Sequence, residues 1–342
     1  MENTDTQVNK ESFAAARFIK EIGRGKDGAR SMSREDAQLL YGAMLEGRVS
    51  DLEMGGILLA MRIKGESTDE IAGFMAAAEA QMQQLAAPAG NADGTRGNHG
   101  NQYAPVVIPT YNGARKKANL TPLLALLLAR RGVPVLVHGV LRDAGRVTTA
   151  EILEALQHPA AQSVQQAEAQ MAAGQPAFIA IDLLSPAMAR LLAMRRVLGV
   201  RNSTHTLVKI LQPFKGPALR LTSYTHPEYF TMLQHYFSQV APHGRGDAFL
   251  MRGTEGETVA NTGRAQQIDW FHQGQCTTLV HTHQTIVGEL PNTPDEKDAA
   301  VTAQWIQAVL DDKIPVPASI AEQVEHCVLV AHMLAERAPP AS

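Results

Sequence analysis

The residue types in this 342-residue chain that could do chemistry are chiefly basic, and their spacing groups them. Arg115, Lys116 and Lys117 stand in a loop, Pro109 to Leu120, between the β-branched run Val106–Ile108 and an apolar stretch, Leu123–Arg131. Thr121-Pro122 reads as a helix start, with Thr as N-cap and Pro at the first helical position. A loop that runs from a strand end into a helix N-terminus is a natural anion site, because its free N–H groups and the helix dipole both favour negative charge. Gly132 ends the helix, and Val133–His138 reads as a second buried strand. The chemistry implied is recognition of something polyanionic. Further cations extend the group: Arg130 and Arg131 close that helix, Arg190, Arg195, Arg196 and Arg201 lie on and just after a later one, and Lys26 and Arg30 sit in a glycine-rich turn near the start.

The formal net charge is only −3, so total charge announces no nucleic-acid binder, but its distribution does. No acidic residue lies between Asp93 and Asp143, nor between Asp182 and Glu228; each interval holds seven Lys or Arg, together fourteen of the chain's 31. Such windows point to basic surface facing an anion. Aromatics make up 5%, and Tyr111 is the main one among these charges, which weakens a base-stacking mode. Two cysteines, Cys276 and Cys327, cannot build a disulfide framework and suit a reducing cytoplasm. The polar start, MENTDTQVNK, has no signal-peptide apolar run, and no stretch reaches the roughly 18 apolar residues of a membrane helix. A cytoplasmic protein with no membrane partner is expected. His205 and His226 lack metal-ligand spacing to acids or cysteines, so no metal site is expected, and no residue is assigned a catalytic role.

The elements that must position these residues divide the chain. Residues 1–12 read as a disordered tail. Residues 13–85 read as helices only: Phe13–Ile22, then one opened by Ser33-x-x-Asp36 and stopped by Gly47, one capped by Asp51 and stopped by Gly65, and one opened by Ser67-x-x-Glu70. Residues 86–102 are Gly, Asn and Pro rich and read as a linker. From 103 to 342 strands alternate with helices, with strands at Ala177–Ile181, Ala248–Met251 and Thr258–Ala260 and closing helices at Ala299–Leu310 and Ser319–Glu336. That alternation predicts an α/β domain with a mostly parallel central sheet.

Several stretches resemble the anthranilate phosphoribosyltransferase family (glycosyl transferase family 3, of the class III phosphoribosyltransferase and nucleoside phosphorylase fold). LEGRVSDLEMGGILLAMRIKGES at Leu45–Ser67 is similar to its N-terminal helical signature, LSPAMARLLAMRRVLGVRNSTHTLVKILQPF at Leu184–Phe214 to its hinge segment, and LVHGV at Leu136–Val140 stands at its Lys-His-Gly-Asn motif. The resemblance implies a helical domain to which about 185–215 also contributes, an α/β domain, a cleft between them, and a homodimer formed through the helical domain. It is strongest to the YbiB-type branch, associated with nucleic-acid binding, whose IPTYNGARKKANLTP loop is reproduced here. The family's Gly-Thr-Gly-Gly-Asp cradle is replaced by Pro109, Thr110, Tyr111, Asn112 and Gly113; proline has no N–H to donate, and tyrosine is bulky. Val137 and Val140 replace the lysine and asparagine of the second motif, and the magnesium-holding Asp-Glu pair does not align with Glu255, Gly256, Glu257 and the residues after them. Asn119 and Thr121 match the family's phosphate pair, although helix capping alone would also use them, and Arg195 matches its carboxylate-contacting arginine. Asn112, Gly113, Asn119, Thr121 and His138 thus form a remnant phosphate site. The expectation is a sequence-independent binder of DNA, with RNA as a further candidate, on a degenerate transferase fold, needing no cofactor. The alternative is a phosphoribosyltransferase of altered substrate, which would need magnesium.

Overall fold

A computed structural model describes residues 12–25, 27–88, 102–284, 293–294 and 297–337. The expectations for the tail (1–11), for Lys26 and for most of the linker (89–101) lie outside the described residues. The helical part contains α1 (Ala16–Ile22), α2 (Arg34–Glu46), α3 (Asp51–Lys64) and α4 (Thr68–Gln81). Ser33, Ser50 and Ser67 cap the last three by accepting the amide N–H three residues on. Asp51 is therefore not the cap: Ser50 and Glu53 form a reciprocal capping box, which leaves Asp51 free to face the positive end of the helix dipole. Helices α2 and α4 pack against each other at Gly73, where a Cβ would lie 2.3 Å from the Arg34 carbonyl oxygen.

The second part is built on a seven-stranded sheet. Its first five strands are β1 (Val106–Thr110), β2 (Val135–Gly139), β3 (Ala177–Ala180), β4 (Leu219–Tyr224) and β5 (Ala248–Arg252). They run parallel in the order β3-β2-β1-β4-β5, followed by an antiparallel hairpin, Ile268–His272 with Gln275–Val280, on the β5 edge. Pro109 is tolerated in central strand β1 because β4 pairs only with Val106 and Val107, leaving no ladder bond on that side for the missing N–H. Side chains alternate between two cores. Val107, Leu136 and Ile179 face the core shared with α1–α4, whereas Val106, Ile108, Val135 and Val137 face α5 (Thr121–Arg130) and the closing helices Ala299–Leu310 and Ala318–Arg337. With both faces covered, the strands read as continuous apolar runs.

Short helices within 181–207 join the two parts. The Tyr41 hydroxyl meets Thr204 Oγ1 at 2.9 Å, and Leu85 bridges to Phe214. Thr258–Ala260 is not a strand, contrary to expectation, and the hairpin is an element that the sequence reading did not include. Within the helical unit, Leu40, Met44, Ile57, Leu58 and Met61 are buried in its own core. Leu39 and Leu52 are exposed, as are Leu59 and Ile63 on the α3 surface. No helix among the described residues is long and apolar enough to cross a membrane.

Candidate functional site

Strand order reverses between β1 and β4, since β2 and β3 lie on one side of β1 while β4 and β5 lie on the other. A crevice opens beyond the carboxyl ends of strands at such a switch point. Three segments meet there: the loop 111–120 after β1, the start of the helix Pro227–Gln239 after β4, and the turn Thr254–Glu257 after β5.

Four of the loop's amides are already occupied by carboxylates. Glu257 Oε1 accepts the N–H groups of Asn112 (2.8 Å) and Gly113 (2.6 Å), and the Glu255 carboxylate accepts those of Arg115 (2.5 Å) and Lys116 (2.8 Å). The Asn112 side chain donates to the Gly256 carbonyl at 2.7 Å and accepts from Arg201 at 2.8 Å. Burial pushes the Glu257 carboxyl above the usual carboxylate range, with the loop N–H groups and Lys209 opposing the rise. Two carboxylates of the chain thus stand where an anionic ligand would meet this loop. Tyr111 is turned away from the loop and pairs with His138 Nδ1 at 2.8 Å. Burial holds His138 down at about 3, so its ring is neutral, and Nε2 has no partner among the described residues.

Beside the sealed loop lies a cleft of about 190 Å³ between the end of α3, the segment 201–209 and the segment 223–233. Arg62, Arg201, Lys209 and His205 line it, with Tyr224 and Tyr229. Arg62 donates to the Tyr229 hydroxyl at 2.9 Å and Lys209 to the Gly256 carbonyl at 3.3 Å, both neutral acceptors. Among the described residues Arg62, Arg195 and Arg201 form no ion pair. Burial lowers the Arg201 guanidinium, and Arg195, Arg146 and Arg62 lower it further. Burial also brings Lys209 down to about 8 and His205 to about 4. The carboxylate in this wall, Glu66, accepts from Ser203 Oγ at 2.5 Å and is pushed upward by burial. Concentrated, incompletely paired cations at a concave surface attract anions.

Comparison with known proteins places the fold. The helical bundle domain of the glycosyl transferase family matches residues 16–82. The chain is 44% identical over 314 residues to the uncharacterized protein YbiB of Escherichia coli (strain K12), covering 92% of this chain and 93% of that protein. It is 30% identical over 197 residues to the anthranilate phosphoribosyltransferase of Methylocella silvestris, a match spanning 58% of this chain and 51% of that enzyme. The chain belongs to the anthranilate phosphoribosyltransferase-like family. Solved structures share the fold. That of anthranilate phosphoribosyltransferase from Thermus thermophilus aligns with a TM-score of 0.63 at 19% identity, over 94% of this chain and 90% of that one. The Saccharomyces cerevisiae enzyme in complex with PRPP and Mg aligns at 0.66 and 13%, over 94% and 88%.

Within this family frame the residues singled out from sequence separate into three sets. Arg115, Lys116 and Lys117 are exposed together on the sealed loop, Arg201 lines the cleft, Arg195 lies near enough to lower its guanidinium, and Arg196 is exposed. Arg130 and Arg131 are not part of this site. They stand at the far end of α5, roughly 15 Å along the helix, where Arg130 donates to the Leu310 carbonyl at 2.6 Å and Arg131 pairs with Glu325. Arg190 is likewise a structural cation: it donates to the Met44 and Leu45 carbonyls at 2.8 and 3.0 Å and so satisfies the last turn of α2. Arg30 is exposed.

The remnant phosphate residues are buried. Thr121 is not the N-cap; the Asn119 side chain accepts the Thr121 N–H at 3.1 Å and donates to Thr149 at 2.9 Å, while the Thr121 hydroxyl has no partner among the described residues. The acids placed to hold magnesium do not fit that task here, since Glu255 and Glu257 are both turned onto amide N–H groups. Sequence reasoning missed Arg62, Arg146, Lys209 and Tyr229, which come from four separate segments. Lys209 alone lay in an acid-free window already marked.

Proposed function

We propose that this protein binds nucleic acid through its phosphates, independently of sequence, on a phosphoribosyltransferase fold. The observation that carries the reading is the cation cluster at the switch point. Among the described residues Arg62, Arg195 and Arg201 form no ion pair, and Arg115–Lys117 are exposed on the adjoining loop. Lys and Arg so arranged contact backbone phosphates without reading bases. DNA is the primary partner in this reading and RNA a second, because the cations address a backbone common to both. A second copy of the chain covering the exposed apolar stripe Leu52, Leu59 and Ile63 on α3 would join two such surfaces and raise avidity. No cofactor is required. The test is titration with labelled single- and double-stranded DNA and RNA at several salt concentrations. Saturable binding that weakens steeply with salt is expected, and absence of binding at low salt refutes the reading.

A second reading is a phosphoribosyltransferase with an altered substrate, requiring magnesium. Family membership and the retained switch-point cleft favour it. The occupied loop amides weigh against it, because a pyrophosphate would have to displace two carboxylates, one of them buried. Isothermal titration with phosphoribosyl pyrophosphate and magnesium, followed by turnover with several aromatic acceptors, separates the two. Stoichiometric binding with turnover would establish the second.

A further inference from the structure

The turn Thr254–Glu257 carries a residue poorly suited to its own backbone. Thr254 and Glu257 exchange N–H···O=C bonds at 3.0 Å in each direction, closing a two-residue turn around Glu255 and Gly256. Both central residues have positive φ, +54° at Glu255 and +93° at Gly256. Turns of this kind favour Asn, Asp or Gly at both positions. Gly256 is required: a Cβ there would lie 2.6 Å from Asn112 Nδ2. Glu255 is not explained by the turn, since a long side chain in the left-handed region is disfavoured. It is explained by what its carboxylate holds, the amide N–H groups of Arg115 and Lys116.

We infer that Glu255 is a positioning residue for the cationic loop. Its carboxylate pins the backbone at 115–116, so that Arg115, Lys116 and Lys117 project outward as one preorganised cationic surface. The inference rests on the proposed nucleic-acid reading for its ligand, but its structural half is independent of any ligand. It is unusual in sign, because an acid next to a polyanion site should by Coulomb repulsion weaken binding. Preorganisation runs the other way, since side chains ordered before binding lose less entropy on binding.

The test uses Glu255→Asn, which suits the left-handed backbone and removes the carboxylate, so the turn and fold are retained. The probe is a labelled single-stranded DNA of mixed sequence. If positioning dominates, affinity falls roughly five- to ten-fold although the protein has lost a negative charge. Amide hydrogen exchange at Arg115 and Lys116 accelerates in the same variant without ligand. In an Arg115→Ala, Lys116→Ala, Lys117→Ala background, Glu255→Asn should no longer lower affinity. Glu255→Gln, which keeps an acceptor oxygen at the reach of the native carboxylate where the shorter Asn does not, should fall between wild type and Asn. Equal or tighter binding by Glu255→Asn overturns the inference while leaving nucleic-acid binding intact. Unchanged exchange at both amides overturns it whatever the ligand. A wild-type protein that binds no nucleic acid removes the proposed function, and with it the role of the loop as a binding surface.

Discussion

Replacing Arg115, Lys116 and Lys117 together by Ala tests the loop as a phosphate contact. The three side chains are exposed and form no ion pair among the described residues, so each has a full charge to offer. Each phosphate neutralised on duplex DNA contributes about −0.9 to the slope of log affinity against log salt. Losing three contacts should therefore flatten that slope by up to about 2.7. Raising salt from 50 to 200 mM would then cost the wild type about 40-fold more affinity than the variant. The fold should tolerate the change, since exposed substitutions away from caps and buried networks usually stay within about 0.5 kcal/mol, and Glu255 grips the loop through backbone N–H groups that alanine keeps. Fluorescence anisotropy at four or five salt concentrations reads the slope, and thermal melting checks the fold. As controls, Arg130→Ala and Arg131→Ala should leave the slope unchanged, because those cations bind the Leu310 carbonyl and Glu325 at the opposite end of α5. A triple variant with wild-type affinity and slope would refute the loop's role; a slope change in Arg130→Ala would refute its placement.

Three further outcomes are expected. His138 is held at about 3 against an ordinary 6.5, so the unfolded chain binds the extra proton between those values. Its stabilising effect is complete above pH 6.5 and is lost as pH falls toward 3, at about 1.4 kcal/mol per pH unit. Denaturant melts of His138→Gln across pH 4 to 7 should show a correspondingly shallower dependence, about one proton's worth, and an unchanged slope would show that His138 is not buried neutral. Gly73→Ala should destabilise the protein by about 1–3 kcal/mol, because the new Cβ meets the Arg34 carbonyl and Ala37 at the α2–α4 contact; a melt indistinguishable from wild type contradicts that packing. Leu52→Glu with Ile63→Glu, at positions 88% and 73% exposed, should leave the chain folded but convert a two-copy assembly to monomer in light scattering; an unaffected assembly places the interface elsewhere.

Local chemistry was legible in the sequence wherever the signal sits within a few residues. Ser33 and Ser67 announced helices α2 and α4, because the cap bond spans only three residues. The run from Val106 to His138 announced strand, loop, helix and strand, since period and turn chemistry are local properties. The loop's exposed cations were likewise visible, as was the mostly parallel sheet. The hairpin at 268–280 escaped because its edge strand is half exposed and mixes Cys, Thr and Gln without a clean alternation.

What only the tertiary structure decided is which charges have partners. Arg130, Arg131 and Arg190 read as the equals of Arg115 and Arg201, but carbonyls and a carboxylate more than 140 residues away in sequence satisfy them. Glu255 and Glu257 read as a misaligned metal pair, and folding turns them onto amides 139 to 145 residues away. The physical reason is the same in both cases. Charge and hydrogen-bonding capacity belong to the residue and are written in the sequence, whereas satisfaction of that capacity depends on which distant groups the fold brings within about 3 Å.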